Sequence, residues 1–130
     1  MQDYPLIRFQ KPEAARIWRD ALRSGVYEQC QGFLHFHNVD APESPIKHCC
    51  LGVAKLVLGV DLRDAAPSVY DHLARALGIG GRSTKGEDGE VGYFIWLNDR
   101  DRASFLDIAD YIDRCLEAQS AKDLPPVAGD

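Results

Sequence analysis

A serine three residues ahead of an acid, followed by a helical apolar stripe, constrains this chain most. Ser104 and Asp107 have the spacing of a capping box. Phe105, Ile108, Ala109, Ile112, Cys115 and Leu116 then recur on one side of a helix. A helix striped in this way needs a core to lie on, and 130 residues are enough to build one. Surface scaling gives a folded area of about 7,000 Å² against about 21,000 Å² for the extended chain, so roughly two-thirds of the surface can leave water without a disulfide or a metal. One domain over 1–122 is expected, with the proline-bearing stretch 123–130 as a flexible tail. Apolar residues at 45% and charged residues at 27% fit a globular domain and exclude wholesale disorder.

Three more helices are predicted. Over 12–24, Pro12 suits a first turn, Ala14, Ile17, Trp18, Ala21 and Leu22 repeat at helical spacing, and Gly25 is the stop. The stretch 49–58 is apolar apart from Lys55 and too long for an ordinary strand. A third helix starts at Pro67, groups Val69, Tyr70, Leu73, Ala76 and Leu77 on one side, and ends at Gly78. Strand character falls on 32–37, with Phe33, His35 and His37 on one face and Leu34 and Phe36 on the other. It falls also on 91–97, although Tyr93-Phe94-Ile95-Trp96-Leu97 equally suits a buried helical turn. Gly80, Gly81, Gly86 and Gly89 mark a mobile polar loop; it is no phosphate-binding loop, because Lys85 is followed by Gly86 rather than Ser or Thr. The expected fold class is α+β, about four helices packed around a small sheet made from 32–37 and 91–97.

Twenty acidic residues against fifteen basic ones give a net charge of −5. That balance disfavours direct nucleic-acid binding, which needs clustered Lys and Arg to displace counterions. No apolar run approaches the length of a membrane span. The start, Met1-Gln2-Asp3-Tyr4-Pro5, lacks a basic and apolar leader. A reducing, cytoplasmic setting is therefore expected, with Cys30, Cys49, Cys50 and Cys115 as free thiols.

Three stretches stand out along the chain. The first is Trp18-Arg19-Asp20-Ala21-Leu22-Arg23-Ser24-Gly25-Val26-Tyr27-Glu28-Gln29, and the second is Cys49-Cys50-Leu51-Gly52-Val53. The third is Leu97-Asn98-Asp99-Arg100, followed by Ser104-Phe105-Leu106-Asp107-Ile108-Ala109-Asp110-Tyr111-Ile112. In combination they resemble a family of small uncharacterised proteins encoded by phages and prophages. The resemblance spans most of the chain and implies an origin in a mobile element and a bacterial host, without implying a reaction. His35 and His37 lie outside it.

Three constellations carry chemistry-bearing side chains. His35 and His37 share a predicted strand face and precede His48, Cys49 and Cys50, a donor set suited to zinc but in no standard zinc spacing. The same histidines sit as readily on a half-exposed strand without metal, and no cofactor is expected. Cys49 or Cys50 at a helix N-terminus offers a catalytic thiol, its pKa lowered by the helix dipole, with His35, His37, His48 or His72 as base. A Cys pair filling the core explains the motif as well. Asn98, Asp99, Arg100 and Arg102 either close a turn ahead of Ser104 or present a recognition loop.

Tyr27, Phe36, Tyr70, Tyr93 and Trp96 supply aromatic material for a core, with any exposed remainder available to a partner. Binding is expected rather than catalysis: an accessory protein that docks on a host or phage protein. The resemblance implies interference with a host process or an antiviral defence such as CRISPR–Cas. A cysteine-dependent enzyme, a zinc-binding protein and a homodimeric structural protein are the alternatives.

Overall fold

In the computed structural model, which describes residues 6–33, 35–60, 69–79 and 90–120, eight elements follow one another. They are α1 (Pro12–Arg23), β1 (Glu28–Gln29), β2 (His35–Phe36), β3 (Lys47–His48), α2 (Cys50–Leu58), α3 (Val69–Leu77), α4 (Glu90–Asp99) and α5 (Phe105–Ser120). The class is α+β, with five helices and a three-stranded sheet among the described residues. Pro67, the polar loop at 80–89 and the tail at 123–130 lie outside the described residues. Among the described residues no helix is long and apolar enough to cross a membrane.

The stripe on α5 is buried as its spacing requires, and Tyr111 and Ala118 join it. Its main partner is α1, which buries Ala15, Trp18 and Leu22 and also packs on α2. Trp18 sits at the centre of this packing. Its ring meets Phe94 edge-on with centroids 4.7 Å apart, and its Nε1–H donates to the Cys50 carbonyl at 2.8 Å. At the rim of the same contact, Arg19 and Arg23 both reach Asp113, at 2.7 and 2.8 Å, and Arg23 also reaches Asp110 at 2.9 Å. The chain ahead of α1 is strapped across the helix layer. Gln119 exchanges two hydrogen bonds with the backbone of Phe9, and the Gln10 N–H donates to the Gly78 carbonyl at 2.9 Å. Gly78 must be glycine here: its φ is +70°, and an added Cβ would stand 2.7 Å from the Lys11 nitrogen.

The segment 91–97 corrects the sequence expectation of a strand. It is α4, with Val91, Phe94, Leu97 and Asn98 buried on one side and Trp96 turned outward. Aromatic and β-branched residues favour strands only as a weak prior, and packing against α2, α3 and α5 decides the outcome. The sheet instead comes from two strands the sequence did not mark. β3 lies between β1, to which it is parallel, and β2, to which it is antiparallel. The expected strand 32–37 shrinks to His35–Phe36. Its pairing puts Gln29, His48 and His35 in one row and Glu28, Lys47 and Phe36 in the other. The second row is exposed.

Trp18→Phe keeps an aromatic ring but leaves a small cavity and removes the donor to the Cys50 carbonyl. It is expected to lower the unfolding free energy by about 2 kcal/mol, read from urea midpoints at constant m-value.

Candidate functional site

Asn98 is the one fully buried polar side chain among the described residues. It uses its whole hydrogen-bonding capacity. Oδ1 accepts from Gln29 Nε2 at 2.9 Å and from the Cys50 N–H at 3.1 Å. Nδ2 donates to the Cys30 carbonyl and to Asp99 Oδ1, both at 2.8 Å. Reversing the carboxamide would aim oxygen at two acceptors and nitrogen at two donors, so its orientation is fixed. The network extends outward. Gln29 Nε2 also donates to the Ala103 carbonyl at 2.8 Å, and Asp99 Oδ1 also accepts from the Gly32 N–H at 3.0 Å. The end of β1, the start of α2 and the end of α4 are thereby tied at one point. These are the places where the three stretches quoted above meet.

That geometry revises two sequence readings. Asn98 is interior, so it is not available to a partner as part of a recognition loop, and Asp99 is half-buried and holds the Gly32 amide. Of the four residues grouped there, Arg100 and Arg102 stand in solvent. Cys49 and Cys50 do lie at a helix N-terminus, but both are buried. Cys49 is the N-cap of α2, its Sγ accepting from the Gly52 N–H at 3.4 Å. Burial outweighs the helix N–H groups and pushes the Cys49 thiol up to about 11. Cys50 points the other way, its Sγ 3.5 Å from the Phe94 carbonyl, and desolvation raises it well above the usual thiol range. Cys30 is raised by burial too, and Cys115 accepts from the Ile7 N–H at 3.3 Å. All four thiols are free and buried.

The histidines divide differently from the sequence expectation. His35 and His37 do not act together. His35 faces His48 across the β2–β3 pair, with Nδ1 to Nδ1 at 2.7 Å, and Lys55 Nζ stands 3.0 Å from His35 Nε2. Lysine only donates, so His35 Nε2 is the acceptor and its proton sits on Nδ1. That proton is donated to His48 Nδ1, which leaves the His48 proton on Nε2. Tyr27 meets the His48 ring edge-on at 5.6 Å. Desolvation first, then the charge of Lys55, holds both imidazoles below the ordinary value of 6.5. His37 stands apart, its Nε2–H donating to the Pro42 carbonyl at 3.2 Å.

The two facing nitrogens are bonded to each other, and Lys55 places a positive charge against the pair. Among the described residues no three His, Cys, Asp or Glu side chains gather as a metal-holding group. Lys55, Gln29 and Tyr27, which complete the two networks, were not among the candidate site residues of the sequence. The lone charge of Lys55 in an apolar run is the signal that pointed to it.

Asn98→Ala removes four hydrogen bonds at once, leaves the Cys50 N–H without its acceptor and is expected to lower stability by about 3–5 kcal/mol, or to prevent folding, as judged by circular dichroism and urea titration. The His35–His48 pair gives a pH signature. Because the folded values are depressed, the unfolded chain takes up protons more readily below the usual 6.5. Stability is therefore expected to hold at neutral pH and to fall as pH drops from about 6.5 toward 5, and His48→Gln should flatten that slope in urea titrations.

Compared with protein-family models, with curated proteins and with solved structures, the chain matches none of them.

Proposed function

We propose that this chain is a phage or prophage accessory protein that works by docking on a host or phage protein inside the bacterial cell. In this reading it inhibits a host process or an antiviral defence of the CRISPR–Cas kind. One observation carries the docking part: Phe33 and Phe36 stand side by side in solvent, 58% and 40% exposed, with ring centroids 5.6 Å apart. Phe36 belongs to the outward row of the sheet, beside Lys47 and Glu28. Ile46 and Val39 are exposed in the connection from β2 to β3. Paired aromatics facing water are what an interface hot spot uses, since their burial on binding contributes far more than polar rim contacts.

The enzyme reading draws less support. A catalytic thiol needs a low pKa and access, whereas all four thiols are buried and those of Cys30, Cys49 and Cys50 are raised. The mobile-element part of the proposal rests on the resemblance of the three stretches.

Affinity purification of the tagged chain from a bacterial lysate tests the reading. A retained protein should be recovered by the wild type and reduced at least about tenfold by Phe33→Asp with Phe36→Asp, equivalent to roughly 1.4 kcal/mol. The double variant should keep its circular dichroism spectrum. Equal recovery by the two proteins, or no retained protein together with turnover of a small molecule, would overturn it.

A further inference from the structure

Three basic side chains stand in a row between α2, β2 and β3. Lys55 Nζ lies 3.0 Å from His35 Nε2, and His35 Nδ1 lies 2.7 Å from His48 Nδ1. All three residues are half-buried. With Lys55 donating to His35 and His35 donating to His48, both acceptor nitrogens of the row are filled. A further proton must land on one of them. On His48 Nδ1 it faces the proton of His35; if His35 moves its own proton to Nε2 instead, that proton faces the Lys55 ammonium. Lys55 sits on a flexible four-carbon stem, so its contact yields first and leaves the two rings joined through one proton. A second proton removes the last acceptor between the rings and sets two imidazolium charges against each other.

The surroundings supply no compensating charge. Lys55 and His48 act on His35, Lys55 acts on His48, and no carboxylate among the described residues acts on either ring. From the β1 side come Gln29, in the same row of the sheet, and the Tyr27 ring edge-on to His48, while Glu28 and Lys47 belong to the opposite row. Lys55 is the single charge of α2, whose Cys49 and Cys50 thiols turn to the Gly52 N–H and the Phe94 carbonyl. His37 turns to the Pro42 carbonyl. β2 is two residues long and pairs with β3 alone, His35 opposite His48 and Phe36 opposite Lys47. Half of that pairing is therefore the imidazole pair. Desolvated rings beside Lys55 take up protons less readily than rings in water, so the open form of the strand gains on the closed form as pH falls below 6.5.

We infer that His35, His48 and Lys55 form an acid-operated latch on β2: protons taken up by the rings first expel Lys55 and then part β2 from β3, with the helical framework intact. Phe36 leaves the sheet with the strand, and its contact with Phe33 is lost. Control of docking by the latch rests on Phe33 and Phe36 being the docking surface; the latch itself needs no partner.

NMR of the isolated, 15N-labelled full chain, with a chelator present and pH lowered from about 7.5 to about 5, tests the latch. Imidazole nitrogen shifts read tautomer and charge, and amide shifts read the ladder. At neutral pH His35 should carry its proton on Nδ1 and His48 on Nε2. Below pH 6.5 the His35, Phe36 and Lys47 amides should lose their folded shifts together and reversibly, while those of α1 and α5 keep theirs. Lys55→Gln retains a donor without the charge and should move the midpoint up by at least about half a pH unit. His48→Gln, with one ring left to charge, should keep β2 paired to about pH 5. Rings that titrate at 6.5 or above, strand shifts that survive the whole range, loss of the α5 shifts at the same pH, or an unmoved midpoint in Lys55→Gln would each overturn the inference. None of these readouts involves a bound partner, so the latch and the docking proposal fail separately.

Discussion

The carboxamide of Asn98 is the constraint on which the rest of this structure depends. Burying an amide without partners costs several kcal/mol, so a fully enclosed asparagine persists only where every polar atom is met. Here two donors and two acceptors meet it, and they come from parts of the chain far apart in sequence: Gln29 and Cys30, Cys50, and Asp99. Such a network specifies one arrangement, since any shift of α4 along its axis breaks several bonds together. Trp18 fixes the same region from the other side through the Cys50 carbonyl. The first residue of α2 is thus held at its N–H by Asn98 and at its carbonyl by Trp18.

This separates the residues that build the molecule from those free to meet another. The Cys pair caps and fills the head of α2, and the asparagine and its neighbouring aspartate lock the end of α4. Residues that looked chemical in sequence are occupied in holding the fold. What faces solvent is of another kind: Phe33 and Phe36 beside a short sheet, and Arg100 and Arg102 beyond the end of α4.

The helical framework was legible where one face is apolar and the other charged. α1 and α5 have that pattern, and Cys49 marked the start of α2 to within a residue. α4 was not legible because it is apolar nearly all round, so no period distinguishes helix from strand in Val91 to Leu97. Once it is a helix, Asn98 falls four residues after Phe94 and seven after Val91, on the buried side; read as the start of a turn, it falls outside. The sheet was hidden for a different reason. Its strands are two residues long, and their pairing is set by tertiary contacts rather than by any local pattern. His35 was therefore grouped with His37 by alternation, when its neighbour is His48 across the ladder.

Native-state hydrogen exchange at the Cys50 amide tests the central claim most directly, because its only acceptor among the described residues is Asn98 Oδ1. If the carboxamide network holds the fold together, this amide exchanges only through global unfolding, with the same free energy as the slowest core amides of α5 and the same denaturant dependence. Exchange several kcal/mol easier than the core, and independent of denaturant, would mean that the network opens locally and that the fold does not depend on it.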